Sequence, residues 1–195
     1  MPAPPAIPHR PTPPIPWRPM TDAEWAELTK ILRPAARGRP PADARRTWDG
    51  IFWIAASRLP WRALPVQFGK PDSAHRALRR AALARSLHAM LVRVSPHPAM
   101  RDDPLQPIAW FVVRAFRRAF RVAPHAIAFA RRLGLASALP CAPCWLPKPH
   151  LSETAKAIAG KLMNRGGDIP FALLEALYYL LRRSGGEPRW WRTTG

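Results

Sequence analysis

The sequence predicts an all-α chain: a helix-turn-helix-like bundle of about four helices with a helical C-terminal extension. Three observations predict it. Apolar residues recur at helical spacing between Pro and Gly breaks. No alternating pattern is long enough for a strand. Arginines gather along single faces of the helices so defined, in a chain with 31 Lys plus Arg, 12 Asp plus Glu and a formal charge of +19.

The first helix opens at Thr21 or Asp22, with Asp22 and Glu24 in its first turn, where the helix dipole favours negative charge. Trp25, Leu28, Ile31 and Leu32 form its apolar face, and Pro34 ends it. Arg37-Gly38-Arg39-Pro40-Pro41 reads as a basic loop. Asp43 caps a second helix with Trp48, Ile51, Phe52 and Ala55 inward, and Pro60 stops it. The turn Trp61-Arg62-Ala63-Leu64-Pro65 leads to Phe68-Gly69. Asp72 or Ser73 then caps a third helix. Its inner face is Ala74, Ala77, Leu78 and Ala81, and its outer face is His75, Arg76, Arg79 and Arg80. A fourth helix buries Leu87, Met90, Leu91 and Val94 before Pro96 and Pro98. The spacing makes Trp25, Trp48, Trp53 and Trp61 core residues rather than stacking platforms.

Five segments follow from this pass. Residues 1–19, with nine prolines, read as a disordered, extended arm. Residues 20–100 are the helical domain. Residues 101–139 are a basic helical segment, with Arg114, Arg117, Arg118 and Arg121 on one stripe of a helix over 107–122 and Trp110, Val113, Phe116 and Phe120 beside it. A short helix over 124–134 ends at Gly134. Residues 140–150 are a Pro/Cys linker, and 151–195 are a helical hairpin and tail. In that hairpin Ser152 caps one helix and Asp168 caps a second, apolar one with Phe171, Leu173, Leu174, Leu177, Tyr178, Leu180 and Leu181.

The charge points to a polyanionic partner, nucleic acid first among them. A base-composition bias toward Arg, Ala and Pro codons would produce part of the same excess. The arginine stripe of 107–122 suits DNA phosphates, an anionic membrane surface or a solvated helix face. Cys141 and Cys144 are too few and too close for a secreted disulfide framework. They also lack the further ligands a zinc site needs, so no metal and no cofactor is expected. No uncharged stretch reaches the ~18 residues of a membrane-spanning helix. The arm has no apolar run of a signal peptide. The expected compartment is a reducing, nucleoid-associated cytoplasm, without integral membrane contact.

From Met20 to Leu91 the order of features resembles the N-terminal helix-turn-helix domain of insertion-element transposases of the DDE type. Thr21-Asp22-Ala23-Glu24-Trp25 with Leu28 matches a T-D-x-x-W-x-x-L opening. Arg37-Gly38-Arg39-Pro40 matches a G-R-P loop. Asp43-Ala44-Arg45 matches D-x-R, and Gly50-Ile51 and Trp53-Ile54 fall where the family has a small residue and an apolar run. Trp61-Arg62-Ala63-Leu64-Pro65 with Phe68-Gly69 matches W-R-x-L-P-x-x-F-G. The chain departs at Pro71, where the family has a Trp, and at His75, Leu78 and Ala81, where it has aromatics. The smaller groups have less area to bury, so a loosely packed third helix is expected.

The resemblance implies duplex-DNA binding through Arg37, Arg39, Lys70, Ser73, His75, Arg76, Arg79 and Arg80, with element ends as the candidate target. Arg76 and Arg79 suit guanine edges, and Arg80, Lys70, Ser73 and the Arg37–Arg39 loop suit phosphate. A DDE catalytic domain would add two Asp and a Glu holding divalent metals. Asp102, Asp103, Glu153, Asp168, Glu175 and Glu187 follow no buried strand, so no catalytic residue is assigned. The expectation is a DNA-binding component or truncated remnant that binds without cutting. Its partners would be a separately encoded catalytic subunit and a second copy meeting it through 169–184. The alternative is a basic amphipathic protein that binds a partner protein or an anionic membrane.

Overall fold

The computed structural model describes residues 9–32, 43–120, 122, 126–165 and 169–186. Among them it is all-α, with eight α-helices joined by short 3₁₀ turns and no strand. The chain divides into two compact units between Pro140 and Cys141.

In the first unit, α1 (Asp22–Ile31) begins with a capping box: Thr21 accepts from the Glu24 N–H, and the Glu24 carboxylate accepts from the Thr21 N–H. This satisfies two of the donors that a helix start leaves open. Arg18 grips the same carboxylate through Nη1 and Nη2, at 2.8 and 2.5 Å. Burial works to raise the Glu24 carboxyl. The bonds from Arg18 and Thr21 outweigh it and hold the group below its ordinary range.

α2 (Ala44–Ser57) is capped by Asp43, which accepts from the Arg46 N–H at 2.8 Å. The D-x-R feature here acquires a physical role. Arg45 reaches back to the Met20 carbonyl and the Asp22 carboxylate, both at 2.5 Å, and buried Asp49 accepts from the Met20 N–H at 3.0 Å. The start of α1 is thereby pinned to α2. Trp48, Ile51, Phe52 and Ala55 are buried as the spacing predicts, together with Ile54. Each of the large ones contributes about 1.5–3 kcal/mol by leaving water. Trp25, Trp53 and Trp61 are only half-buried.

Two 3₁₀ turns, Trp61–Ala63 and Val66–Phe68, connect α2 to α3 (Pro71–Leu83). This connection is longer than the 3–4 residues of a tight helix-turn-helix. It is fixed by Phe68, which packs over Gly50 and lies 5.4 Å from the Trp17 ring and 6.3 Å from the Trp53 ring. A Cβ on Gly50 would stand 2.6 Å from the Phe68 Cβ, so the small residue of the motif is there to admit the aromatic one. Gly69 has φ 89° and ψ −161°, a region essentially confined to glycine.

α3 starts at Pro71, with Lys70 as N-cap, rather than after Asp72 or Ser73. Proline suits the first helical position because its missing N–H would be unused there. Ala74, Leu78, Ala81 and Ala82 are buried and Ala77 is half-buried. Of the residues behind the expected loose packing, Leu78 and Ala81 are buried and His75 is exposed. Arg85, in the left-handed region at φ 60°, turns the chain into α4 (Ser86–Arg93). Leu87, Met90, Leu91 and Val94 are all buried.

The boundary expected near residue 100 does not separate the packed units. α5 (Ala109–Ala119) belongs to the first unit and packs most extensively on α2, and also on α3 and α4. Phe111, Val112, Val113 and Ala115 are fully enclosed. Phe111 stacks on Phe52 at 6.1 Å, so α5 completes the core that α2 begins. α6 (Ala126–Arg132) follows, and Gly134 turns the chain with φ 70°.

The arm expected to be disordered is tied down where it is described; residues 1–8 lie outside the described residues. Arg10 and Leu135 form a parallel β-bridge, Thr12 donates to Ser137 Oγ at 2.9 Å, and Trp17 packs on Phe68. Its prolines keep it extended, and the hydrogen bonds it cannot make internally are made to the 134–137 turn.

In the second unit, α7 (Pro149–Arg165) pairs with α8 (Phe171–Ser184). α7 begins at Pro149, so Ser152 lies inside the helix rather than capping it. Pro170 is the N-cap of α8, and the predicted cap Asp168 lies outside the described residues. The Lys148 N–H donates to the Ser184 carbonyl at 2.7 Å, and Gly186 lies against the Trp145–Pro147 backbone, closer than a Cβ would allow.

Candidate nucleic-acid interface

The basic face of α3 is built by its apolar one. With Ala74, Leu78 and Ala81 turned inward, Arg76, Arg79 and Arg80 emerge together on the opposite side, all exposed. Arg76 Nε donates to the Asp72 carbonyl at 3.2 Å, which lays that side chain along the helix. None of the three forms an ion pair with a described carboxylate. His75 stands at the edge of this face, its ring 5.4 Å from that of Trp61 in an edge-on contact. Lys70 and Ser73 are exposed at the N-terminal end. The Ser73 N–H donates to the Lys70 carbonyl at 3.0 Å, so what Ser73 offers outward is its hydroxyl. Arg37 and Arg39 lie outside the described residues.

The arginine stripe of α5 has a different placement from the open face considered in the sequence. It lies on the C-terminal end of α2. Arg118 Nη1 donates to the carbonyls of Ile54 and Leu59, at 2.8 and 2.9 Å, and its guanidinium sits 4.9 Å from the Trp61 ring. Arg114 is 8 % exposed and its Nε donates to the Ala55 carbonyl at 3.4 Å. Arg117 Nη2 donates to the Pro140 carbonyl at 2.7 Å. Arg121 lies outside the described residues. Guanidinium groups suit this place because the last carbonyls of a helix lack partners and carry the negative end of its dipole. Phe111, Phe116 and Phe120, which a membrane-lying helix would need outward, are buried.

Arg58 ends α2 in the left-handed region at φ 60°. Burial lowers the Arg114 guanidinium to about 10, and repulsion from Arg117, Arg58 and Arg118 adds to it. Burial also lowers Arg118. Sequence reasoning missed the repulsion between Arg58 and Arg114 because the two are far apart in the chain and only the fold brings them within electrostatic range.

The acidic residues weighed as metal ligands are placed as follows. Asp103 accepts from Arg93 Nε at 2.6 Å and from the Leu105 N–H at 2.8 Å, and Asp102 is exposed. Glu153 lies 3.7 Å from His150, and Glu175 is exposed. Asp168 and Glu187 lie outside the described residues. Among the described residues no three His, Cys, Asp or Glu side chains come together to hold a metal, and no helix is long and apolar enough to cross a membrane. Cys141 and Cys144 form no disulfide.

No curated protein and no solved structure matches the chain. Residues 20–91 match the model of a family described as "Putative transposase of IS4/5 family (DUF4096)". The matched segment spans α1 to α3 and most of α4, including the capping box, the Arg45 clamp and the Phe68–Gly50 contact, while α5 lies beyond it. Over these residues the chain is similar to an IS4/5-family transposase, and the extent of the match is that of an N-terminal transposase domain.

Proposed function

We propose that this protein binds duplex DNA through the outer face of α3, as the DNA-binding component or remnant of an insertion-element transposase, without cutting the strands. The observation that carries this reading is the exposed trio Arg76, Arg79 and Arg80, free of ion pairs with described carboxylates, on a helix whose other side is locked into the core. A helix of that kind can enter a major groove, where an Arg fork reads guanine and further cations hold phosphate. Lys70, Ser73 and His75 flank the face, and Arg37 and Arg39, which lie outside the described residues, would add phosphate contacts. The compartment this implies is the nucleoid.

The test is an equilibrium titration of the full chain with duplexes carrying the flanking terminal repeats and with scrambled duplexes. Arg79→Ala should reduce the preference for the repeats by about 1–3 kcal/mol, the worth of one good bidentate base contact. Binding and preference that both survive Arg76→Ala, Arg79→Ala and Arg80→Ala would overturn the assignment.

A second reading concerns partners. Phe171, Leu174, Tyr178, Tyr179 and Leu181 of α8 are exposed. They favour self-association through 169–184 or docking of a separately encoded catalytic subunit. Sedimentation of Tyr178→Glu tests the first. A wild-type oligomer that the substitution leaves intact would rule out this face.

A further inference from the structure

α8 carries two apolar stripes, and only one of them is covered. Successive residues of a helix stand about 100° apart, so residues three and four apart share a face. Leu173, Leu177 and Leu180 make one such stripe. They are buried or half-buried, and α7 packs against α8. Phe171, Leu174, Tyr178 and Leu181 make the other, roughly a third of a turn away. These four are 79, 46, 61 and 46 % exposed. One apolar stripe is enough to seat a helix on one neighbour, and a second stripe calls for a second neighbour. A contiguous exposed apolar patch of this kind marks an interaction surface.

The order of residues along the open stripe identifies the neighbour. Aromatic and leucine alternate at intervals of three, four and three, so the spacing reads the same from either end. Turned end for end and laid on itself, the stripe sets Phe171 opposite the partner's Leu181 and Leu174 opposite the partner's Tyr178. Each layer then pairs a ring with a smaller aliphatic group, the interdigitation that close packing favours. A parallel pairing would set like against like in every layer. A contact in which one residue meets a second while the second meets the first is what twofold symmetry requires. We propose that this stripe of α8 pairs antiparallel with the same stripe of a second copy and closes a dimer. The proposal rests on the self-association reading above and adds its partner, direction and register. With a large side chain taken as about 200 Å², the exposed fractions amount to roughly 900 Å² for two copies, near the ~1,000 Å² at which a specific interface begins. The dimer should therefore dissociate on dilution.

The test is sedimentation equilibrium of the full chain, of Leu174→Lys, of Tyr178→Glu and of the two variants mixed. Salt should be high enough to screen the repulsion between two chains of formal charge +19. Positions 174 and 178 are exposed, so each variant should keep the wild-type Tm. The wild type should pass from monomer to dimer as concentration rises. Either variant alone should associate about tenfold more weakly or worse, because the seam would bury a charge without a partner. In the mixture the new ammonium at position 174 meets the new carboxylate at position 178 of the other chain, and a heterodimer should return. Two variants that stay monomeric when mixed would overturn the antiparallel register and leave self-association through this face standing. A wild type that stays monomeric, or a dimer that both substitutions leave intact, would overturn the face as well. A wild-type trimer or open polymer would overturn the twofold pairing.

Discussion

Replacing Arg118 with methionine keeps most of the side-chain volume and removes the guanidinium. Two hydrogen bonds vanish, to the Ile54 and Leu59 carbonyls at 2.8 and 2.9 Å, along with the cation–π contact on Trp61. Hydrogen bonds from a charged donor are worth about 1.5–3 kcal/mol each, and a partly desolvated cation–π contact about 0.5–2. The desolvation of Arg118 itself works against these gains, so the net loss should be roughly 2–4 kcal/mol. The contrast is Arg114→Met. Arg114 is buried, has one long hydrogen bond and a cation–π contact 5.5 Å from the Trp110 ring, and is repelled by its neighbours. An apolar residue there should be neutral or stabilising, as when a buried charge without a counter-ion is replaced by a well-packed hydrophobe. Urea unfolding of both variants decides the matter. A loss below about 0.5 kcal/mol for Arg118→Met would mean that its bonds merely replace equivalent ones to water. A loss above about 2 kcal/mol for Arg114→Met would mean that its charge is compensated in the fold.

Three further predictions concern the frame that holds α3. Gly50→Ala gains about 1 kcal/mol of helix propensity, yet it should destabilise by about 1–3 kcal/mol because the new Cβ meets Phe68; denaturant melts give the sign directly. Gly69→Ala meets no neighbouring atom within 4 Å, so a loss of about 1–3 kcal/mol in the same melts would be backbone strain alone. For acid stability, the folded Glu24 carboxyl lies below its ordinary range, so its contribution is present above that range and is lost as pH falls through the folded value. Asp49 is shifted upward by burial, so its contribution is present below the ordinary range and lost as pH rises through its folded value. Glu24→Gln should therefore flatten the acid limb of a Tm-against-pH curve, and Asp49→Asn, which keeps an acceptor for the Met20 N–H, should raise Tm at neutral pH.

Periodicity made much of the fold legible. The inner faces of α2 and α4 are the residues their spacing selects, because a helix with one apolar stripe has one way to bury it. The turn from Trp61 to Gly69 was legible as a motif, but its mechanism was not: Gly50 belongs to another element, and only packing explains why a glycine sits in a helix. Asp72 and Ser73 are good caps and predict a later start for α3, but Pro71, already fixed at a helical φ, takes the first position instead. Nine prolines and no helical pattern predict a disordered, extended arm, and its contacts in the fold are not legible from its own sequence. Its partners are Gly134, Leu135 and Ser137, remote in the chain.

The candidate site divides along the same line. The outer face of α3 follows from the sequence, since the exposed side of an amphipathic helix is fixed once its buried side is known. The role of the α5 arginines does not follow, because a stripe of Arg looks the same whether it faces water, lipid, phosphate or the carbonyls of another helix. Here Ile54, Ala55 and Leu59 supply those carbonyls.

The central claim, that α3 lies against duplex DNA, is tested most directly by the salt dependence of binding. Full-length protein and Arg76→Ala/Arg79→Ala/Arg80→Ala should be titrated with one duplex across a range of salt concentrations. Three lost cationic contacts should lower the slope of log K against log salt by roughly 2–3. Equal slopes in the two proteins would mean that the face of α3 does not touch the nucleic acid.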